Sequence, residues 1–250
     1  MSNIRLIFMG TPEFAVPSLE ILLANGYDVA AVVTAPDKPQ GRGKKVSPSP
    51  IKVAALAHRI PVLQPTNLKD PAFLATLQSY QANLQVVVAF RMLPQVVWAM
   101  PDLGTFNLHA SLLPAYRGPA PINWAIINGE QETGVTTFFL EQSMDTGHIL
   151  FQEKESIDTQ DTAGTLYEKL RRKGAQLVLK TVQAIQEGSY KPVPQTPTPE
   201  SLSKKAPKIY KEDCRINWAQ EPKSIVDFIR GLSPYPAAWT ILNDKTYKIL

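Results

Sequence analysis

The strongest constraint on the fold is a series of continuous apolar runs separated by intervals long enough for a helix. Runs with so few polar residues are typical of strands that are buried on both faces of a sheet. They are IRLIFMG at 4–10, DVAAVVTA at 28–35, PVLQP at 61–65, LQVVVAF at 84–90 and GTFNLHA at 104–110. In the intervals 13–25, 51–59, 70–79 and 94–100, apolar residues recur at helical spacing. The alternation predicts an α/β protein with a parallel sheet.

The expected ligand site lies at one edge of that sheet. Open parallel sheets bind ligands beyond the carboxyl ends of their strands, where residues 10–12, residues 90–92 and the chain after Asn107 would emerge. The turn after the first strand, MGTPEFAVPS, lacks the G-x-G-x-x-G spacing that lets a backbone approach a dinucleotide. The sequence therefore argues against a nicotinamide-dependent enzyme.

The second half of the chain predicts different elements. Residues 132–156 indicate two β segments joined through SMDTG, with Asp145 and Gly147 in the connection. A long helix is expected from about Ala163 to Gln186, ended by Gly188. The proline-rich stretch that follows favours an extended connector over packed structure.

These patterns divide the chain into a first domain at 1–188, a connector at 189–207 and a second unit at 208–250. A unit as short as 208–250 rarely buries enough surface to fold alone. It is therefore either docked on the first domain or the start of a truncated second domain, and we favour truncation.

The composition narrows the class of protein. The single cysteine, Cys214, excludes an intrachain disulfide or a cysteine-based zinc site, which is typical of a reducing compartment. The apolar run at the N-terminus is interrupted by Gly10, Pro12 and Glu13, well short of a signal peptide or a membrane span. We expect a cytoplasmic protein that is monomeric and does not associate with membranes.

The net charge of +4 is unevenly distributed. Residues 35–59 carry six Lys or Arg against one acid, Asp37, whereas residues 101–161 carry nine acids against Arg117 and Lys154. A basic cluster of this kind either attracts a phosphate-rich partner or is a solvated surface.

The candidate reactive groups are Asn107 and His109. Because they are two apart in a predicted strand, their side chains share one face, and Leu108 faces the core. An amide and an imidazole at a strand end suit a reaction in which a carbonyl oxygen becomes negative and a proton moves. Loss of one oxyanion donor typically costs about 3–4 kcal/mol of barrier, and His109 can donate to the same oxygen or carry the proton. Asp145 lies in a loop able to return and orient the imidazole.

Other interpretations of the same residues stay open at this point. Ser111, His109 and Asp145 would form a Ser-His-Asp hydrolase, although the G-x-S-x-G elbow is absent. A zinc site from His109, His148 and Asp145 lacks a paired-ligand spacing such as H-E-x-x-H. His109 can also be a histidine that only satisfies its ring nitrogens at a strand end.

Several motifs resemble a known family. GTFNLHASLLP, YRGPAPI and ETGVTTFFLEQSMDTG are similar to the signature of the folate-dependent formyltransferases, which carry Asn-x-His, Ser-Leu-Leu-Pro and a downstream Asp-x-Gly. IFMGTPEFAVPSLEIL, APDKPQGRGKKVSPSPIK and LQPTNLKDP resemble the members that formylate methionyl-tRNA. The likeness continues into INWAQEPKSIVDFIRGLSPYPAAW, where the family begins a C-terminal barrel. It implies a Rossmann-like, mostly parallel sheet with helices on both faces, followed by a truncated β-barrel-type domain.

The resemblance also implies an activity. It is the transfer of the formyl group of 10-formyltetrahydrofolate to the α-amino group of methionyl initiator tRNA, without a metal. In that reaction Asn107 and His109 would stabilise the oxyanion, while Asp145 would orient His109 and help to remove the ammonium proton. The residues implied in folate binding are Phe90, Arg91, Met92, Leu93, Ser111, Leu112, Leu113 and Pro114. Arg91 departs from the small residue that is common in the family after this strand.

The basic cluster gains a role from the same resemblance. Arg42, Lys44 and Lys45 would reach the acceptor stem of the tRNA, and Lys208, with Lys204 and Lys205, would extend the track. The alternatives are a folate-dependent formyltransferase acting on glycinamide ribonucleotide or an amino-sugar nucleotide, a formyl-folate hydrolase, and an RNA-binding module without activity.

Overall fold

The computed structural model describes residues 3–40 and 45–250. Its main sheet has seven strands in the spatial order β5-β2-β1-β6-β7-β8-β9, parallel from β5 to β7 and antiparallel from β7 to β9. Its strands are β1 (Arg5–Gly10), β2 (Asp28–Val33), β5 (Val62–Leu63), β6 (Leu84–Val88), β7 (Thr105–His109), β8 (Glu132–Phe139) and β9 (Ile149–Ser156). Two antiparallel pairs lie outside it, β3 (Lys38–Gln40) with β4 (Lys45–Ser47) and β10 (Ala238–Leu242) with β11 (Lys245–Ile249).

Helices cover both faces of this sheet, and the predicted fold class is confirmed. The helices are α1 (Val16–Ala24), α2 (Pro50–Ala57), α3 (Pro71–Ser79), α4 (Gln95–Trp98), α5 (Pro121–Ile127), α6 (Ala163–Glu187), α7 (Pro199–Ser203) and α8 (Pro222–Leu232). Leu6 and Phe8 of β1 point into the core formed with α1, α2 and α6, whereas Ile7 and Met9 point into the core formed with α3 and α4. Strands buried in this way on both sides explain the continuous apolar runs.

Local signals set the helix ends. Asp70 and Ser49 precede α3 and α2, and their side chains accept hydrogen bonds from the first-turn amides of Ala72 and Lys52. At α6, Thr162 and Thr165 form a reciprocal capping box, and the helix ends before Gly188. The long helix predicted from the sequence is therefore present, one residue longer at its C-terminus.

The proline-rich connector differs from the expectation that it would be unpacked. Val193 forms an antiparallel bridge with Ile149. Residues 204–207, which we call the strap, form hydrogen bonds with residues 116–124, which comprise a turn and the start of α5. The physical reason is that the non-proline residues of an extended chain keep free N–H and C=O groups, which can complete neighbouring backbone.

The segment 208–250 docks on the first domain. Helix α8 lies against α5, where the side-chain amide of Asn123 donates to the carbonyl of Gly231 at 2.7 Å. Arg230 of α8 also donates to the carbonyl of Asp161, ahead of α6, at 2.5 Å. A small core of its own contains Cys214, Ile216, Leu232 and Ala238. None of the helices in residues 3–40 and 45–250 combines the length and the hydrophobicity that a transmembrane span requires.

We predict that Leu170→Ala lowers the free energy of unfolding by about 2–5 kcal/mol, because Leu170 of α6 is fully buried in the main core. The control is Gln183→Ala on the exposed side of the same helix, expected to change stability by less than about 0.5 kcal/mol. Urea unfolding of both variants measures the difference. Equal losses would show that α6 is not packed as described.

Candidate active site

A cleft of about 1270 Å³ opens at the carboxyl edge of the parallel strands. The strand order reverses between β1 and β6, and such switch points are where open α/β sheets bind ligands. Residues after β1 and β6 line the cleft together with the end of β7. Further walls come from residues 140–145, from the starts of α5 and α6, and from 233–235 of the C-terminal unit. The site therefore lies at the edge predicted from the sequence.

Asn107 and His109 both line this cleft. Leu108 between them is 3% exposed and belongs to the core on the opposite face of the sheet. The His109 side chain is buried, whereas Asn107 is half-buried. Strand alternation thus delivers an amide and an imidazole to the same side of β7.

The imidazole of His109 is held by the backbone. Its Nε2 donates to the carbonyl oxygen of Tyr116 at 2.9 Å. Because a carbonyl only accepts, this bond assigns the ring proton to Nε2. In the neutral ring Nδ1 is then unprotonated and can accept a proton.

Tyr116 has an unusual backbone conformation, and its side chain is anchored by a hydrogen bond. Its φ of 58° places it in the left-handed region, which costs a residue other than glycine about 1–2 kcal/mol. Its hydroxyl donates to Glu130 at 2.7 Å, and burial followed by this hydrogen bond raises the pKa of Tyr116 above its usual range. The buried neutral phenol anchors the residue whose carbonyl orients His109.

Asp145 lies in the loop after β8 and also lines the cleft. Its Oδ2 accepts from the backbone N–H of Gly118 at 3.1 Å. Among the hydrogen bonds of residues 3–40 and 45–250, none joins Asp145 to His109. The two are connected instead through the short turn at 116–118, which contacts both.

Two glycines show how tightly these loops are packed. Gly118 has a φ of 126°, and a Cβ there would lie 2.4 Å from the carbonyl oxygen of Ala206 in the strap. At Gly147 a Cβ would lie 1.7 Å from the carbonyl oxygen of Phe139. Only glycine fits such approaches, so both loops are held against backbone.

The strap completes the turn by backbone hydrogen bonds. The N–H of Tyr116 donates to the carbonyl of Lys204 at 2.7 Å, and the N–H of Ala206 donates to the carbonyl of Arg117 at 3.0 Å. Lys204 is also paired with Glu130 at 2.9 Å. The connector is thereby part of the support beneath His109.

Phe90, Arg91, Met92 and Leu93 line the cleft. The guanidinium of Arg91 donates to the carbonyls of Thr66, at 3.0 Å, and Pro65, and it lies 5.7 Å from the centre of the Phe90 ring. Arg91 therefore ties the loop after β6 to the loop after β5. The apolar wall comes from its neighbours and from residues the sequence did not single out, Trp98 and Leu140.

The segment from Ser111 to Pro114 does not line the cleft. Ser111 is fully buried, and its hydroxyl donates to the carbonyl of Ala115 at 2.7 Å. Leu113 is buried as well, while Leu112 and Pro114 are half-buried. The proposed folate contact of these four residues stays a prediction.

These placements weigh against two alternatives. The buried, bonded hydroxyl of Ser111 is not presented to the cleft, so a Ser-His-Asp hydrolase has no exposed nucleophile there. His148 is exposed, and its Nδ1 donates to Glu141 at 2.5 Å. In the described part of the chain, no group of three His, Cys, Asp or Glu residues is placed to hold a metal ion.

The structure describes only some of the predicted tRNA-binding residues. Arg42 and Lys44 lie outside the described residues, and Lys45 begins β4 without a described side chain. Lys208 is exposed, with its ammonium 5.0 Å from the centre of the Tyr210 ring.

The base of the β3–β4 ribbon is anchored by charge. Lys52 donates to Asp37 at 2.6 Å and to Gln64 at 2.7 Å, and Gln64 also donates to Asp37. The hydrogen bond from Lys52, followed by that from Gln64, lowers the pKa of Asp37. Lys52 therefore has an acidic partner within the protein and is not among the predicted tRNA contacts.

Sequence reasoning missed several residues that line the cleft. Pro119 to Ile122 belong to the YRGPAPI motif, so a signal for them was present. Thr162 at the start of α6 and Tyr235 after α8 had none, because their place depends on how distant elements dock.

An open, mostly parallel sheet that presents an amide, an imidazole and a carboxylate to one cleft is the architecture of an α/β enzyme. The profile described as formyl transferase matches residues 3–182, and that described as formyl transferase, C-terminal domain, matches residues 208–250. The chain belongs to the formyl transferase family, and the family resemblance drawn from its motifs is confirmed.

Curated relatives agree with this assignment. The chain is 55% identical over 241 residues to a methionyl-tRNA formyltransferase of Bacteroides fragilis, covering 96% of this chain and 74% of the relative. It is 56% identical to one from Azobacteroides pseudotrichonymphae, covering 97% and 76%, and 53% identical to one from Flavobacterium johnsoniae, covering 100% and 78%.

Solved structures share the fold at lower identity. An N-formyltransferase from Helicobacter canadensis, in complex with folinic acid and dTDP-3-aminofucose, has a TM-score of 0.71 at 24% identity, covering 96% of this chain and 85% of that one. HypX from Aquifex aeolicus, in complex with tetrahydrofolic acid, has a TM-score of 0.70 at 20% identity, covering 98% and 37%. These likenesses concern the fold.

We predict that Gly118→Ala lowers the free energy of unfolding by about 2 kcal/mol or more beyond the cost of Gly26→Ala. Both glycines have positive φ, but a Cβ at Gly26 meets nothing within 4 Å, whereas one at Gly118 meets Ala206. The Gly26 variant therefore reports the backbone cost of about 1–2 kcal/mol. Equal losses in urea unfolding would mean that the strap does not pack on the turn.

Proposed function

We propose that this protein transfers the formyl group of 10-formyltetrahydrofolate to the α-amino group of methionyl initiator tRNA. The observation that carries the proposal is the meeting of Asn107, His109 and Asp145 in one cleft of a chain 53–56% identical to methionyl-tRNA formyltransferases. The proposed division places the catalytic unit in residues 1–188, the connector in 189–207 and the second unit in 208–250.

The cleft suits a folate together with a second substrate. Its volume of about 1270 Å³ exceeds the roughly 300–1,000 Å³ of ordinary small-molecule pockets. Phe90, Leu93, Trp98 and Leu140 give it an apolar wall against which a flat ring can pack. Two proteins of this fold were crystallised with folate compounds, which supports the same choice of donor. When bound, 10-formyltetrahydrofolate supplies an activated formyl group.

Asn107 acts on the oxygen of that group. As the amine adds to the formyl carbon, negative charge develops on the oxygen, and the amide N–H of Asn107 donates to it. Asn107 is half-buried in the cleft, and this partial removal from bulk water strengthens such a hydrogen bond.

His109 and Asp145 handle the protons. The carboxylate of Asp145 attracts the incoming ammonium and accepts its first proton, directly or through water. The proton released as the amine adds passes to Nδ1 of His109, since Nε2–H is already committed to Tyr116. The imidazolium so formed donates to the developing oxyanion. As the tetrahedral intermediate collapses, the bond between the formyl carbon and N10 of the folate breaks, and the proton carried by His109 passes to that nitrogen, which leaves as tetrahydrofolate. No covalent intermediate with the protein is needed.

The proposed tRNA contacts come from the basic segment 42–45 and from Lys208, the first residue of the second unit. Arg42, Lys44 and Lys45 supply three cations close together in the sequence, and Lys208 supplies one next to the strap. Phosphate contacts by such side chains give an affinity that falls steeply with salt. The Asp37–Lys52 pair fixes the base of the β3–β4 ribbon.

The deciding experiment follows the formyl group. The protein is supplied with 10-formyltetrahydrofolate and, in separate reactions, methionyl initiator tRNA, glycinamide ribonucleotide, a dTDP-linked amino sugar, or no acceptor. We expect formyl-methionyl-tRNA to form and the other reactions to stay at background. Transfer to another acceptor but not to the tRNA, or release of formate without an acceptor, would overturn the proposal.

We predict that Asn107→Ala and Asp145→Ala each lower turnover at least about a hundredfold while folate binding survives, because both groups act only as charge develops. Single-turnover formylation and folate titration measure the two effects. Gln186→Ala is the control, since this residue lies on α6 and bonds to Tyr27. Near-normal turnover in either variant would remove that residue from the catalytic set.

We predict that Arg42→Ala weakens tRNA binding and reduces the slope of log affinity against log salt by about one, with little change in folate affinity. The matched control is Lys69→Ala, which removes one exposed positive charge from a different loop. An unchanged slope in the Arg42 variant would assign this residue to the solvated surface.

A further inference from the structure

The connector side chain of Gln195 bonds to both loops near the site. The amide of Gln195 uses both ends, with Nε2 donating to the carbonyls of Asp145 and Gly147, each at 2.9 Å. Its Oε1 accepts from Nε and Nη2 of Arg117, at 3.2 and 2.5 Å. Gln195 does not line the cleft, so it does not contact a substrate there.

These partners belong to the two loops that carry the proposed chemistry. Asp145 and Gly147 belong to the loop after β8 that carries the Asp145 carboxylate. Arg117 lies between Tyr116, whose carbonyl holds His109, and Gly118, whose N–H binds Asp145. One amide thereby fastens the two loops to each other.

The chemistry of the partners selects glutamine. Two carbonyl oxygens require a donor, whereas a guanidinium requires an acceptor. Glutamic acid in its ionised form offers only acceptors, and lysine offers only donors. Asp145 also has a φ of 53°, a conformation that needs its surroundings to hold it.

We propose that Gln195 is a positioning residue for formyl transfer. By fixing the Asp145 loop against the 116–118 turn, it sets the placement of the Asp145 carboxylate relative to His109. The inference rests on the proposed function for its activity readout. It also gives the connector a direct bearing on the reaction, because a shift of residue 195 moves the backbone of Asp145.

The test compares Gln195→Met, which keeps the length but removes every hydrogen bond, with Gln195→Glu, which keeps only the acceptor for Arg117. Gln186→Met is the matched control, a half-buried glutamine that bonds to Tyr27 at the far end of α6. We expect both variants at 195 to lose at least about tenfold in kcat while the KM values for folate and tRNA change less than about twofold, as for loss of a contact that matters only in the transition state. The control should retain its kcat.

A double-mutant cycle separates positioning from general support. If Gln195 acts through Asp145, then Gln195→Met causes no further loss in an Asp145→Ala background, because the group it places is already gone. An additive loss in the double variant, or a normal kcat in both variants at 195, would overturn the proposal.

Amide hydrogen exchange gives a readout that does not depend on activity. We expect faster exchange in peptides covering 116–118 and 145–147 for Gln195→Met, and no change for Gln186→Met. Faster exchange in a protein whose wild type does not formylate the tRNA would reject the proposed function but leave the positioning role standing. Unchanged exchange at both loops would reject the positioning role itself.

Discussion

The structure of the site depends on one hydrogen bond, from Nε2 of His109 to the carbonyl of Tyr116. Tyr116, which supplies that carbonyl, adopts a left-handed conformation. The conformation is held by the buried Tyr116 side chain, by the bond from its N–H to Lys204 and by the close contact of Gly118 with Ala206. The strap, far along the chain from β7, therefore supports the turn that holds the imidazole of His109.

Two of the three polar groups of the site lie on a strand of the sheet, and the third lies on a loop that other segments hold in place. Strand β7 lies between parallel and antiparallel neighbours, so Asn107 and His109 share the stability of the sheet. Asp145 comes from a loop, and its position depends on the N–H of Gly118 and on Gln195. Both supports belong to the network of the turn and the connector. The carboxylate of Asp145 and the imidazole of His109 are consequently positioned by the same network of hydrogen bonds.

Much of this architecture could be predicted because its causes are local. Burial on both faces makes strands apolar throughout, and a spacing of two brings Asn107 and His109 together. The turn residues around Asp145 predicted that it lies in a loop between two strands. The role of the Tyr116 carbonyl could not be predicted, because backbone groups leave no mark in the side-chain sequence. The docking of the connector and of Tyr235 depends on contacts between distant segments, and periodicity carries no information about them.

The most direct test of this account is the tautomer of His109, read from the ¹⁵N chemical shifts of its two ring nitrogens in neutral solution. Single substitutions at His58 and His148 assign the signals of the three histidines. We predict a protonated Nε2 and an unprotonated Nδ1, because the Tyr116 carbonyl can only accept. A neutral ring protonated at Nδ1 would contradict it, since His109 would then be held by something other than the turn.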